Sequence, residues 1–191
     1  MNINELMEML SNKDAINKLG ATAGIESDKV EKLISLGLPT IMKAMDRNAK
    51  TNDGAESLMK ALKQHEDDDV DDLEKFINKL DKNDGAKMLN HIFSNKNQAV
   101  QNNLAQQTGL DTSQVSSMLQ QLAPLLIGVL GNQQKKQNLD VNNLSSLMNG
   151  ALKKSGKGGM MDLAEQFLDA DKDGSIVDDV GKMLGGFFKK K

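Results

Sequence analysis

The sequence predicts an all-α protein: a multihelical bundle of two repeated helical subdomains, followed by a C-terminal calcium-loop helical hairpin. Three observations carry this prediction. The apolar residues are aliphatic and Met-rich, with twelve Met and five Phe but no Trp or Tyr. Such side chains suit helices, whereas strands favour aromatic and β-branched residues. Apolar positions recur at helical spacing, as in Val115, Met118, Leu119, Leu122, Leu126, Val129 and Leu130, the i, i+3, i+4, i+7 pattern of a buried helix face. The chain also repeats itself at an interval of 85 residues: the stretch from Leu19 to Ile34 aligns with that from Leu104 to Leu119, Pro39 with Pro124, the only two prolines, and Ile41, Met42 and Met45 with Leu126, Ile127 and Leu130.

The repeat organises the elements in order. Residues 1–63 form the first helical repeat, 64–83 an acidic connector and helix, 84–153 the second repeat, 154–159 a Gly/Lys linker and 160–191 the EF-hand-like hairpin. Within each repeat a short helix ends at Gly24 or Gly109, where a left-handed residue is expected. Ser27, or Asp111 and Thr112, then offer N-cap oxygens to a long helix, kinked near its proline. Leu125 and Ile127 make the second long helix apolar nearly all round, which marks it as central. The polar run from Asn132 to Asn138 is expected to end it, and a further helix follows from Asn142 to Leu152, with Ala55 to Leu62 as its counterpart in the first half. The core list that results is Val30, Leu33, Ile34, Ile41, Val115, Met118, Leu119, Leu122, Leu126 and Val129.

Between the repeats lies His65-Glu66-Asp67-Asp68-Asp69-Val70-Asp71-Asp72, acids that suit the N-terminus of the helix they precede. One His among flexible acids is poor ligand geometry for a metal. Asp84-Gly85 reads as a turn before a short helix, and His91, flanked by apolar residues, as a hydrogen-bonded core or boundary histidine.

Composition excludes several functions. There is no Cys, hence no disulfide frame, thiolate nucleophile or Cys-based metal site. The first twenty residues carry acids where a signal peptide carries bases, and no segment reaches the roughly 18 consecutive apolar residues that span a bilayer. A soluble, cytoplasmic protein with no membrane span is expected. A net charge of −3 offers no overall attraction to nucleic acid. Gly-x-Ser-x-Gly, phosphate-loop and His-Glu-x-x-His motifs are absent, so no enzyme activity is expected, and Gly156-Lys157-Gly158-Gly159 is a linker.

The chemistry the sequence does suggest lies near its end. Asp169, Asp171 and Asp173 alternate before Gly174 and Ser175, the first part of an EF-hand loop: side-chain oxygens at positions 1, 3 and 5, a glycine at 6 for the sharp turn, a carbonyl at 7. Position 12 is Val180 instead of the bidentate Glu, and position 9 is Val177. Asp179 closes a loop shortened by one residue. The metal ligands are therefore Asp169, Asp171, Asp173, Ser175 and Asp179, and the cofactor Ca²⁺, weakly bound. With Ca²⁺, Val180, Met183, Leu184 and Phe187 are expected to pack on Leu163, Phe167 and Leu168. The bland alternative is a solvated turn in front of a helix.

The repeated hinge also matches a helix-turn-helix: counting from Gly109, Leu110, Val115 and Leu119 lie at +1, +6 and +10, with Ala105 at −4. Gly24 to Ile34 match as well, with Gly20 in place of the alanine. Any tight helical corner needs such residues, and the exposed positions, Glu26, Asp28, Glu31, Asp111, Gln114 and Ser117, lack the Lys and Arg that phosphates require.

The residues from Asp84-Gly85 to Phe93, Lys96 to Val100, Thr108-Gly109-Leu110 to Leu130, and the Asp-Gly-Ser-Ile-Val-Asp-Asp ending together resemble the bacterial YidB-like family, a domain of unknown function. The resemblance implies a multihelical fold and brings no catalytic residue with it. The acidic ending looks like a recurring one in such proteins. The functional expectation is a non-enzymatic cytoplasmic binding or scaffolding protein with a protein partner and a weak calcium-binding loop; the alternative is a helix-turn-helix-like nucleic-acid-binding regulator.

Overall fold

The computed structural model describes residues 1–144 together with Ser146, Gly150, Ala164, Phe167 and Leu168. Among the described residues every regular element is helical. The chain starts with α1 (Ile3–Leu10), set by a capping box: Asn2 Oδ1 accepts from the backbone N–H of Asn4 and Glu5, and Glu5 Oε2 accepts from the N–H of Asn2, which satisfies amides that have no partner in the helix. The next helix, α2 (Lys13–Ala23), stops at Gly24, and α3 (Ser27–Asn48) follows. Thr51 Oγ1 caps α4 (Asn52–Gln64) by accepting from Gly54 N at 3.2 Å. Asp72 caps the short α5 (Leu73–Lys79), and Asp81 caps α6 (Lys82–Phe93). A 3₁₀ turn at Ser94–Lys96 leads into α7 (Asn97–Thr108). Beyond Gly109 runs α8 (Thr112–Gln137), and a second 3₁₀ turn at Val141–Asn143 follows.

The two hinges have the same local form. Gly24 has φ 65° and ψ 41°, Gly109 φ 70° and ψ 30°, and each donates its N–H to the carbonyl four residues back, Gly20 or Ala105. Positive φ costs a residue with a Cβ about 1 kcal/mol or more, which is why glycine stands at both. Both long helices continue through their proline without interruption, with Pro39 inside α3 and Pro124 inside α8.

The position of α8 explains its apolar character. It packs against α1, α2, α3, α4, α6 and α7, and Met118, Leu119, Leu122, Leu126, Val129 and Leu130 are wholly buried. All ten residues of the expected core are buried, each full aliphatic burial being worth about 1.5–3 kcal/mol. One apolar cluster extends from Ile3 through both long helices to Phe167 and Leu168, so the two halves share a core.

Glycines bring α6 and α4 unusually close to α8. A Cβ on Gly85 would lie 2.1 Å from the carbonyl oxygen of Gln120, and one on Gly131 would lie 2.4 Å from that of Leu62. The first contact has a chemical reason. Pro124 has no N–H to give to the carbonyl four residues earlier, Gln120. A Cα–H of Gly85 points at that freed oxygen, the weak C–H···O contact recurrent between close helices.

Three local expectations are corrected. Asp84 and Gly85 lie inside α6 instead of forming a turn before it, because Asp81 supplies the cap. Ser27 is the first helical residue of α3 and not its cap; its hydroxyl bonds Asn17 Oδ1 at 2.7 Å. The polar run from Asn132 onward does not end α8, which continues to Gln137 and closes on Asn138 in the left-handed conformation. Its polar side chains have tertiary partners: Asn132 Nδ2 donates to the Asp68 carbonyl at 3.2 Å, and Lys135 pairs with Asp67 at 2.6 Å and Glu66 at 3.4 Å. The acidic connector is thus held along α8, with Val70 buried beneath it against Gly128. Asp69 pairs with Lys75 and Asp71 with the terminal amine of Met1.

Candidate functional site

Both α4 and α6 pack on α8, and between them they leave a cleft of about 580 Å³. That volume lies within the usual range for small-molecule pockets, roughly 300–1,000 Å³. Its floor is apolar, with Met45 from α3, Leu58 from α4, Met88 and Ile92 from α6 and Ile127 from α8. Its walls are polar: Ser57, Lys60 and Gln64 from α4 face Asp84, Lys87 and His91 from α6. The last three stand at i, i+3 and i+7, which puts them along one face of the helix.

Each end of the cleft is fastened. At one end the C-cap of α4, His65, reaches two carboxylates: Nδ1 lies 2.8 Å from Asp68 Oδ2 and Nε2 3.8 Å from Asp84 Oδ2. The half-buried imidazole thereby joins α4, the connector and the first turn of α6. At the other end Asn48, the last residue of α3, donates from Nδ2 to the carbonyls of Ile92 at 3.1 Å and His91 at 3.4 Å. These are carbonyls of the last turn of α6, which lack intrahelical partners.

Beside Asn48 the end of the described chain is held. The Leu168 carbonyl accepts from Arg47 Nη1 at 3.0 Å and also from Lys96 Nζ. Phe167 and Leu168 are each 3% exposed and belong to the main apolar cluster. Sequence reasoning missed this anchor, although one signal was available: Arg47 is the only arginine in the chain, and Arg replaces Lys where several directed donors are needed. The reasoning also missed Asp46, a buried carboxylate whose Oδ2 pairs with Lys50 at 2.9 Å while Oδ1 has no hydrogen-bond partner.

The predicted calcium ligands Asp169, Asp171, Asp173, Ser175 and Asp179 lie outside the described residues, as do Val180, Met183, Leu184, Phe187 and Leu163. Among the described residues no group of three or more His, Asp or Glu is arranged to hold a metal ion. His91 is a correction: it is exposed on the cleft wall, not a core or boundary histidine. The helix register decides this, because Met88, Leu89, Ile92 and Phe93 take the inward positions of α6. Of the exposed hinge positions, Gln114 is engaged internally, its Nε2 donating to the Gly24 carbonyl at 2.6 Å. Among the described residues no helix is long and apolar enough to cross a membrane.

Fold and site define an all-helical protein with a polar-walled, apolar-floored cleft on one side of a central helix. The chain belongs to the family described as "Bacterial protein of unknown function (DUF937)", whose model matches residues 4–133, and which includes the YidB-like proteins. No curated protein and no solved structure matches it.

Proposed function

We propose that the chain is a non-enzymatic cytoplasmic binding or scaffolding protein whose Asp-rich C-terminal loop binds Ca²⁺ weakly and reports its occupancy to the helical body. The observation that carries this reading is the anchor at Leu168. Asp169, the first residue of the loop, directly follows a carbonyl held by Arg47 and Lys96 and a side chain buried in the core. A cation taken up by residues 169–179 would therefore act on a chain segment already joined to α3 and to the turn before α7. The neighbouring cations lower the loop's affinity for a divalent ion, as does the missing position-12 Glu. The expected dissociation constant is on the order of 10⁻⁵ to 10⁻³ M.

The binding reading is favoured over catalysis because the sequence carries no nucleophile-elbow, phosphate-loop or His-Glu-x-x-His motif. The repeat enters the same reading. The matched dihedrals and hydrogen bonds at Gly24 and Gly109 support α2–α3 and α7–α8 as two copies of one helix–hinge–helix unit. Calorimetric titration tests the calcium site. Asp173→Ala and Asp179→Ala should each reduce the binding heat, and Asp178→Ala should leave it nearly unchanged. No heat at millimolar Ca²⁺ would leave a solvated turn.

A further inference from the structure

We infer that the α4–α6 cleft is the docking groove for the chain's own C-terminal segment, residues 176–188. This stands independently of the calcium site. Ile176, Val177, Val180, Met183, Leu184, Phe187 and Phe188 recur at i, i+1, i+4, i+7, i+8, i+11 and i+12, a single apolar stripe on a helix. Such a stripe requires an apolar surface. Two of the three residues expected to receive it, Phe167 and Leu168, pack in the body cluster, and the cleft beside them offers a further apolar surface.

The path of the chain points to the cleft. The described chain ends at Leu168, held by Arg47 and Lys96; Asn48, next to Arg47, and Ser94, two residues before Lys96, both line the cleft. The segment therefore departs from the cleft's own rim. Seven residues, 169–175, reach at most about 25 Å, and a helix over 176–188 would be about 20 Å long. A linker of that reach can bring the segment to a cleft whose rim adjoins the anchor. The floor of Met45, Leu58, Met88 and Ile92 is apolar and Met-rich, a surface that adapts to inserted side chains. Lys60 and Lys87, which share its walls with Asp53 and Asp84, are the partners for Asp178 in the segment's first turn.

The sequence has no Cys, so spin labels can be attached uniquely in the full-length chain. One label is placed at Lys182→Cys, on the polar side of the segment. The other is placed at Glu56→Cys on α4 or at Asn90→Cys on α6, both exposed positions. The expected result is a narrow pulsed-EPR distance distribution for both pairs. It should survive dilution with unlabelled chain and broaden when Leu184→Asp and Phe187→Asp are introduced together. An undocked segment would instead spread over its free reach, about 20 Å r.m.s. for the 14 residues from Leu168 to Lys182. Circular dichroism of the double variant verifies that the body is intact. Distributions that are broad from the outset, or indifferent to the two Asp substitutions, overturn the inference. So does a narrow distance lost on dilution, which would put the segment on a second copy.

Discussion

Replacing Gly85 with Ala tests the tightest glycine contact among the described residues. The added methyl would lie 2.1 Å from the Gln120 carbonyl oxygen, 3.0 Å from its carbonyl carbon and 3.1 Å from its Cα. All three are backbone atoms of the central helix, so no side-chain rotation relieves the clash, and α6 must retreat by roughly 1 Å at a cost of about 1–3 kcal/mol. The C–H···O contact to the carbonyl freed by Pro124 is also lost, about 0.5–1 kcal/mol. Against this, Ala is about 1 kcal/mol better than Gly inside a helix. The net expectation is a destabilisation of about 2 kcal/mol, which for a chain of this size lowers Tm by about 4–8 °C. Gly37→Ala is the matched control, since its methyl would meet side-chain atoms alone, Leu119 Cδ2 at 3.1 Å and Leu33 Cδ1 at 3.8 Å. Such neighbours can yield, and the helix preference then brings the control to within about 1 kcal/mol of the native chain. With no Trp or Tyr, the melts are followed by circular dichroism at the helix band. Gly85→Ala melting at or above the native temperature, or Gly37→Ala losing as much, would refute the reasoning.

Other substitutions separate backbone, core and charge effects. Gly24→Ala and Gly109→Ala meet no atom within 4 Å, so each should cost about 1–2 kcal/mol through the positive φ alone, and thermal melts should find the two losses similar. Leu122→Ala, in the fully buried stripe of α8, should cost about 2–5 kcal/mol by urea denaturation. The Asp140 carboxylate, which accepts from the side chain and backbone N–H of Asn143 and from the N–H of Asn142, is held below its usual range. Its contribution is therefore present above the ordinary carboxylate range and is lost as pH falls through the lowered value. Asp140→Asn should accordingly lower the neutral plateau of a Tm-versus-pH curve slightly and flatten its acid side.

What the sequence determined by itself was whatever depends on a few adjacent residues. The αL glycines at 24 and 109, the apolar stripe of α8 and the ten core positions all follow from helical periodicity and from local backbone sterics, which neighbours along the chain suffice to set. The alternating Asp169, Asp171 and Asp173 and the apolar spacing from Ile176 to Phe188 are sequence patterns of the same local kind. Tertiary structure alone decided the rest, because it concerns groups distant in sequence. The Asn132–Asn138 run looks like a helix end until Asp67, Asp68 and Glu66 are brought beside it. Gly85 looks like a turn residue until Gln120, whose carbonyl Pro124 leaves open, comes to lie against it. His91 looks apolar in its neighbours but faces the cleft, because α6 turns Leu89 and Ile92 inward toward the core. The cleft exists for the same reason: α4 and α6 are separated in the chain and are brought together by α3 and α8, so no local pattern records the space between them.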